Sequence, residues 1–289
     1  MAQPAIARNE AQERYLAEIE RTAVELARLA GAEIVNALGG LLAIKYKSDL
    51  AAEAEDLTYR DPVSEVDHRC EVLLRARIAE RFPDHDIIGE EINDRGADTP
   101  YADYVWAVDP IDGTANFING FPMFAASIGV IHHGLPVAGA IWCSTTHALR
   151  AGVYHGRVGG SLQLDEQPID RKPNPAVQRR LAGDPRGGKD LGFMWETRKT
   201  GSAAIECAFA AAGLLRVARF ETPNLWDVAG GVALVKAAGL TVETYDGGRW
   251  HALDRFEPVD GDIRRWRHPI LLGEPRAVVQ LAKAFPNGA

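Results

Sequence analysis

Asp109 and Asp112 stand three residues apart around Pro110 and Ile111, and Gly113 and Thr114 follow at once. Two carboxylates this close form a hard, anionic oxygen site, which suits Mg²⁺ or Mn²⁺ rather than Zn²⁺. Pro110 stiffens the turn between them. Gly113 lets a neighbouring backbone or ligand approach closely. Thr114 offers a hydroxyl and an N–H where a helix could begin, and a helix N-terminus favours an anion such as phosphate. The apolar run from Tyr104 to Val108 leads in as a buried strand. The group points to metal-assisted chemistry on a phosphate. Asp-Pro and Asp-Gly are also common turn dipeptides, so Asp109 to Thr114 taken alone reads equally well as a strand-to-helix turn with a cap.

The elements that must position these residues come in groups. Leu16, Ile19, Ala23, Leu26, Ala27, Ala30 and Ile34 repeat at helical spacing and predict a helix from Gln12 to Leu38, closed by Gly39-Gly40. Residues 41–54 read as a strand running into a loop. Ser64 with Asp67 resembles a capping box and opens a helix over 65–81. A short strand over 86–89 runs into Glu90-Glu91. Segments 124–131, 136–142 and 148–154 predict an antiparallel meander. The polar, Pro- and Arg-rich stretch 165–189 reads as a passage between two halves. Beyond it lie strands at 191–195, 217–220 and 269–272, and helices at 201–215, 225–238 and 274–285. Strands and helices grouped in this way predict a layered α+β fold rather than a Rossmann sheet. The glycines of 156–160 lack the strand–helix surroundings of a dinucleotide site. We expect an N-terminal half over 1–150 that carries most of the acids, and a C-terminal half over 151–289 that supplies Asp227.

The chain has 289 residues, 46% hydrophobic and 25% charged, enough for a large core. Its net charge of −8 argues against a nucleic-acid protein held by a basic face. It does not argue against an anionic substrate, because a bound metal inverts the local field. Cys70, Cys143 and Cys207 are scattered and form neither a disulfide framework nor a zinc pattern, which points to a reducing, cytoplasmic setting. No apolar run approaches the ~20 residues of a membrane span, and no apolar signal core opens the chain. The pair His132-His133 reads as a solvated hairpin, and Cys207 as packing.

Other acidic signals stand apart in sequence: Asp67, Glu90 with Glu91, and Asp227 in Leu-Trp-Asp-Val-Ala-Gly-Gly. Each has an ordinary reading, as a first-turn helix acid, a solvated loop and an N-cap respectively. Together, and in this order, they resemble the inositol monophosphatase family of Mg²⁺-dependent, lithium-sensitive phosphatases. The most specific parts are Gly89-Glu90-Glu91, Asp109 to Thr114, and Trp226-Asp227-Val228-Ala229-Gly230. Gly201-Ser202-Ala203-Ala204 also resembles the family, and Asn116-Phe117 through Gly120-Phe121-Pro122 is similar to its inositol phosphatase branch.

The resemblance implies a layered α/β/α/β/α sandwich, a homodimer, and hydrolysis of a small polyol or sugar phosphate by direct attack of water. It implies two to three Mg²⁺ ions, with Mn²⁺ as a possible substitute. Glu90, Asp109 and the carbonyl of Ile111 would bind the first. Asp109, Asp112 and Asp227 would bind the second, with Asp109 as the bridge. Glu90 would help to hold a third. Thr114 and Asp67 would orient the attacking water. The N–H groups of Gly113 and Thr114 would hold the phosphate, and Ser202 and Ala203 would lie near the substrate. Relatives acting on histidinol phosphate, fructose bisphosphate or a nucleotide phosphate share such a site, and a binding or regulatory protein could share the fold.

The chain departs from the family pattern at two positions. Inositol phosphatases place a glutamate seven residues before the last metal aspartate, and here that position is Phe220, with Glu221 beside it. A one-residue slip in a strand turns a side chain to the opposite face. Either a local bulge turns Glu221 inward, or Phe220 lines the pocket. We expect Phe220 to face the site and leave it short of a hydroxyl acceptor, so that inositol 1-phosphate is not the best substrate and a less polar or aromatic ester competes well. The family's lysine upstream of Asp67 has only Arg60 as a weak counterpart.

Overall fold

The computed structural model describes residues 10–38, 44–46, 62–94, 100–169, 176–177, 180–184 and 195–288, with backbone alone for 44–46 and 62–64. Arg60, most of 165–189, and 191–194 of the expected strand therefore lie outside the described residues.

In chain order the elements are α1 Glu10–Ala37, β1 Ile44–Tyr46, β2 Pro62–Ser64, α2 Glu65–Arg81, β3 Asp86–Gly89, β4 Tyr104–Asp112 and α3 Thr114–Ile118. Strands β5 Ala125–His132, β6 Leu135–Cys143, β7 Gly152–Arg157, β8 Gln163–Leu164 and β9 Gln167–Pro168 follow. The remainder is β10 Arg180–Gly183, β11 Trp195–Arg198, α4 Ala203–Ala211, β12 Val217–Phe220, α5 Leu225–Ala237, β13 Thr241–Asp246, β14 Arg249–Ala252, β15 Ile270–Gly273 and α6 Pro275–Ala284.

Strands β3 to β9 form a seven-stranded sheet in sequence order, antiparallel except for the β3–β4 pair. A six-stranded sheet has the order β11-β10-β12-β15-β13-β14. Helices α1 and α2 cover the outer face of the first sheet. Helices α4 and α5 fill the space between the sheets, and α6 covers the outer face of the second. The result is the five-layered α/β/α/β/α sandwich that the resemblance implies. The division expected at residue 150 precedes three strands of the first sheet, which runs on to Pro168.

Most elements fall where the apolar pattern put them, and the differences have local causes. Helix α1 buries the predicted stripe from Leu16 to Ile34. The third meander strand begins at Gly152 because Leu149 takes a left-handed turn, φ 56°. The β13–β14 hairpin was not anticipated, although Gly247-Gly248, both at positive φ, is a strong two-residue turn signal. Strand β4 does not stop at Val108. It continues through Pro110 to Asp112, with a register shift against β5 between Asp109 and Asp112. A proline, which lacks an N–H, is tolerated in a paired strand at such an irregularity.

Two glycines set how closely the layers approach. Gly129 and Gly139 face each other across β5 and β6. A Cβ on Gly139 would lie 2.3 Å from the Gly230 carbonyl oxygen, and one on Gly129 would lie 2.5 Å from the Gly230 N. Helix α5 thus rests directly on bare backbone, which brings its first turn, with Asp227, to the end of β4. Gly139→Ala should push α5 outward and cost about 1–3 kcal/mol. A thermal melt of this variant beside wild type checks it, and an unchanged midpoint would contradict the close contact.

Candidate metal and phosphate site

The end of β4 opens into a cavity of about 280 Å³ between the two sheets. Glu90, Asp109, Ile111, Asp112, Gly113, Thr114, Ala203, Phe220, Glu221 and Asp227 all line it. Ten of the twelve expected site residues thus meet at one place. The other two, Asp67 and Ser202, are buried behind the wall and each bonds a residue that lines it.

Strand β4, helix α5 and the turn after β3 bring in the four acids. Asp109 and Asp112 come from the irregular end of β4. Asp109 is 1% exposed, and its Oδ1 is buried with no hydrogen-bond partner among the described residues. Asp112 is gripped by the start of α4: its Oδ2 accepts from the Ser202 hydroxyl and from the Ala204 N–H at 2.7 Å, and its Oδ1 from the Ala203 N–H at 3.3 Å. Asp227 is not the N-cap of α5. It lies three residues inside, where its Oδ2 accepts from the N–H of the capping Asn224 at 2.7 Å.

Glu90 sits on the turn after β3, and that turn is built on Glu71. The Glu71 carboxylate is fully buried and accepts from the Glu91 N–H at 2.7 Å and the Ile92 N–H at 3.1 Å. Arg75 holds the same carboxylate at 2.8 Å. A side chain on Gly89 would collide with Glu71, which is why glycine precedes Glu90.

The cluster is electrostatically unfavourable by itself. Burial raises the Asp109 carboxyl well above the usual range, and Glu90, Asp112 and Asp227 raise it further. Burial and the charge of Glu90 and Asp112 likewise raise Asp227. Asp112 is pushed up only to about 6, because the bonds from Ser202 and Ala204 offset part of its burial. Among the described residues no three acidic, histidine or cysteine side chains stand gathered as a closed ligand shell. The chemistry of the donors still fits a hard divalent cation. They are oxygens throughout, they repel one another, and Asp109 Oδ1 is a buried acceptor without a donor among the described residues.

Another wall of the cavity is the turn into α3. Gly113 has φ 91°, a conformation that favours glycine. The Thr114 hydroxyl lies 3.0 Å from Asp67 Oδ1 and 2.9 Å from the Ile111 carbonyl. Asp67 is therefore more than a first-turn helix acid, since it reaches across from α2 to the threonine.

The far wall answers the question left at Phe220. Strand β12 ends there, so the alternation of side chains along it does not extend to Glu221. Phe220, 3% exposed, and Glu221, in the following loop, both reach the cavity. Glu221 accepts from Arg219 Nη2 at 2.8 Å, and the same Nη2 reaches Asp184 at 3.3 Å. Two carboxylates, Glu221 and Asp184, thus line this wall beside Phe220.

Chain comparison agrees with this geometry. The sequence model described as "Inositol monophosphatase family" matches residues 15–267. The chain belongs to the inositol monophosphatase family. It is 30% identical over 276 residues to the chloroplastic phosphatase IMPL1 of Arabidopsis thaliana, covering 86% of this chain and 68% of that protein. It is also 30% identical over 230 residues to the fructose-1,6-bisphosphatase/inositol-1-monophosphatase of Aquifex aeolicus, covering 74% of this chain and 81% of that one. The structure of inositol monophosphatase from Anabaena (Nostoc) superposes with a TM-score of 0.69 at 25% identity, over 94% of this chain and 96% of that chain. The protein is thus an inositol monophosphatase family phosphatase. No helix among the described residues is long and apolar enough to cross a membrane.

The His132–His133 pair and Cys207 fall outside the cavity. His132 stacks on Tyr104 at 4.2 Å and His133 occupies the adjoining turn, so the pair packs at the sheet rather than at the pocket. Cys207 is buried where a Cβ on Gly231 would touch it, a packing role.

The residues that sequence reasoning missed are the supports: Glu71, Asn116, Asp184, Thr200, Glu206, Arg219 and Asn224. Of these, the Glu71–Arg75 pair carries a local signal, an acid four residues before an arginine on one helix, and Asn224 another, an N-cap three residues before Asp227. Glu206 has a testable consequence of its own. Burial pushes its carboxyl up to about 8, from an ordinary 4.5. The folded protein therefore keeps this proton where the unfolded chain has lost it. That contribution is full below about pH 4.5 and disappears as pH rises through about 8. Glu206→Gln should flatten the fall in thermal midpoint between those limits, and melts at both ends of the window check it. An identical fall in both proteins would contradict a raised Glu206.

Proposed function

We propose that the protein is a Mg²⁺-dependent phosphomonoesterase of small polyol or sugar phosphates, acting by direct attack of water without a covalent enzyme intermediate. The observation that carries this reading is the meeting of four carboxylates with the Thr114–Asp67 pair and the Gly113 turn at one cavity.

Glu90, Asp109 and the Ile111 carbonyl would hold one ion, and Asp109, Asp112 and Asp227 another, with Glu90 helping to hold a third. When bound, the ions neutralise the phosphate charge, acidify a water and stabilise the leaving alkoxide. The N–H groups of Gly113 and Thr114 orient the phosphate. The Thr114 hydroxyl takes a position between the attacking water and Asp67, so that a proton can pass from water to threonine as threonine gives its own to the carboxylate. Phe220 and Glu221 would contact the alcohol half. We place the active protein in a reducing cytoplasm and as a homodimer, in line with the family and with three buried, free cysteines.

A kcat/KM panel in Mg²⁺ tests the substrate class: inositol 1-phosphate, a sugar monophosphate, histidinol phosphate, fructose 1,6-bisphosphate and phenyl phosphate. The polyol and sugar monophosphates should lead. A site that bonds substrate hydroxyls rejects an ester lacking them, because its own polar groups are then left unpaired. Preference for phenyl phosphate or for the bisphosphate would overturn the assignment.

A further inference from the structure

Behind the cavity a chain of hydrogen bonds ends on Asp112. Glu206 is fully buried on α4, and its Oε1 accepts from the Thr200 N–H at 3.1 Å and the Thr200 hydroxyl at 2.9 Å. The Thr200 hydroxyl oxygen accepts from the Ser202 N–H at 3.2 Å. The Ser202 hydroxyl donates to Asp112 Oδ2. From the other side, Asn116 Nδ2 donates to the Thr200 carbonyl at 2.8 Å, and a Cβ on Gly201 would lie 2.9 Å from it. The 200–202 turn is pinned on both sides, and its hydroxyl is what grips Asp112.

The effect on Asp112 follows from its acceptor capacity. A carboxylate offers about four acceptor directions over its two oxygens. Oδ2 already accepts two donors, the Ser202 hydroxyl and the Ala204 N–H. Oδ1 accepts only the Ala203 N–H from the described residues, at 3.3 Å. A cation can therefore approach Asp112 well through Oδ1 alone. Mg²⁺ takes single carboxylate oxygens in a near-octahedral shell, whereas Ca²⁺ accepts both oxygens of one carboxylate in a looser shell. We propose that Glu206 and Thr200 are positioning residues that, through Ser202, restrict Asp112 to one-oxygen coordination and so set the site's preference for Mg²⁺ over Ca²⁺. This inference rests on the metal-dependent reading above.

The test is ion binding in the absence of substrate, by calorimetry and by ion-induced thermal upshift, with Mg²⁺ and Ca²⁺ titrated separately. Thr200→Val and Ser202→Ala should weaken Mg²⁺ by about 10–100-fold, the usual cost of removing a group that orients a ligand. Ca²⁺ should weaken far less, so the ratio between the ions narrows. Thr200→Ser and Glu206→Gln keep the hydrogen bonds and should stay close to wild type. Ser202→Ala carries the test if Thr200→Val does not fold. A parallel change for both ions would overturn the proposal. So would a lower metal-free midpoint with the Mg²⁺ affinity untouched, which marks a merely structural role. Wild type that binds neither ion would instead remove the metal-dependent reading, and this inference with it.

Discussion

Asp109→Asn should lose phosphate release by on the order of 10³ or more, because a lost metal bridge is worth several kcal/mol and each 1.36 kcal/mol is tenfold in rate. Asp109 is the acid whose charge the other three oppose, and its Oδ1 is buried without a donor among the described residues. Glu91→Gln should cost far less, since the Glu91 backbone, through its N–H to Glu71, is what holds the turn. The same Asp109→Asn variant should melt higher than wild type in chelator. Its carboxyl is raised by burial and by like charges, so its ionised form destabilises the metal-free fold, and an amide removes that charge. Activity assays and metal-free melts of one preparation check both halves. Full activity in Mg²⁺ would remove Asp109 from the metal set.

Thr114→Ala should lower kcat by roughly 10²–10⁴, the range for a positioned proton-transfer group. Its midpoint should move little, because the hydroxyl's partners, Asp67 and the Ile111 carbonyl, stay held by α2 and β4. Thr114→Ser retains the hydroxyl and should recover most of the rate. If the alanine variant unfolds, or keeps its kcat, Thr114 only caps the turn into α3.

Why some of this was legible in sequence and some was not comes down to distance along the chain. Helix α1 announces itself through the apolar stripe from Leu16 to Ile34, and β4 through the run into Asp109, because both patterns are local. The acids were legible because four separate signals occur in one order that resembles a family. Where each acid points was not. Asp67 reaches Thr114 across 47 positions, and Ser202 reaches Asp112 across 90. No period or capping rule reports contacts of that range. Phe220 and Glu221 pose a different difficulty. Strand β12 ends at Phe220, and beyond it the pleat no longer governs direction, so alternation alone does not say where Glu221 points. The β13–β14 hairpin, by contrast, had its signal in Gly247-Gly248 and was readable.

The most direct measurement is phosphate release from inositol 1-phosphate by the wild-type protein, taken through chelation and then Mg²⁺ addition. Stripping the ions should abolish hydrolysis, adding Mg²⁺ should restore it, and Li⁺ should then inhibit it. Hydrolysis that continues at full rate in chelator would contradict the carboxylate cluster as a metal site, and with it the account of how this protein works.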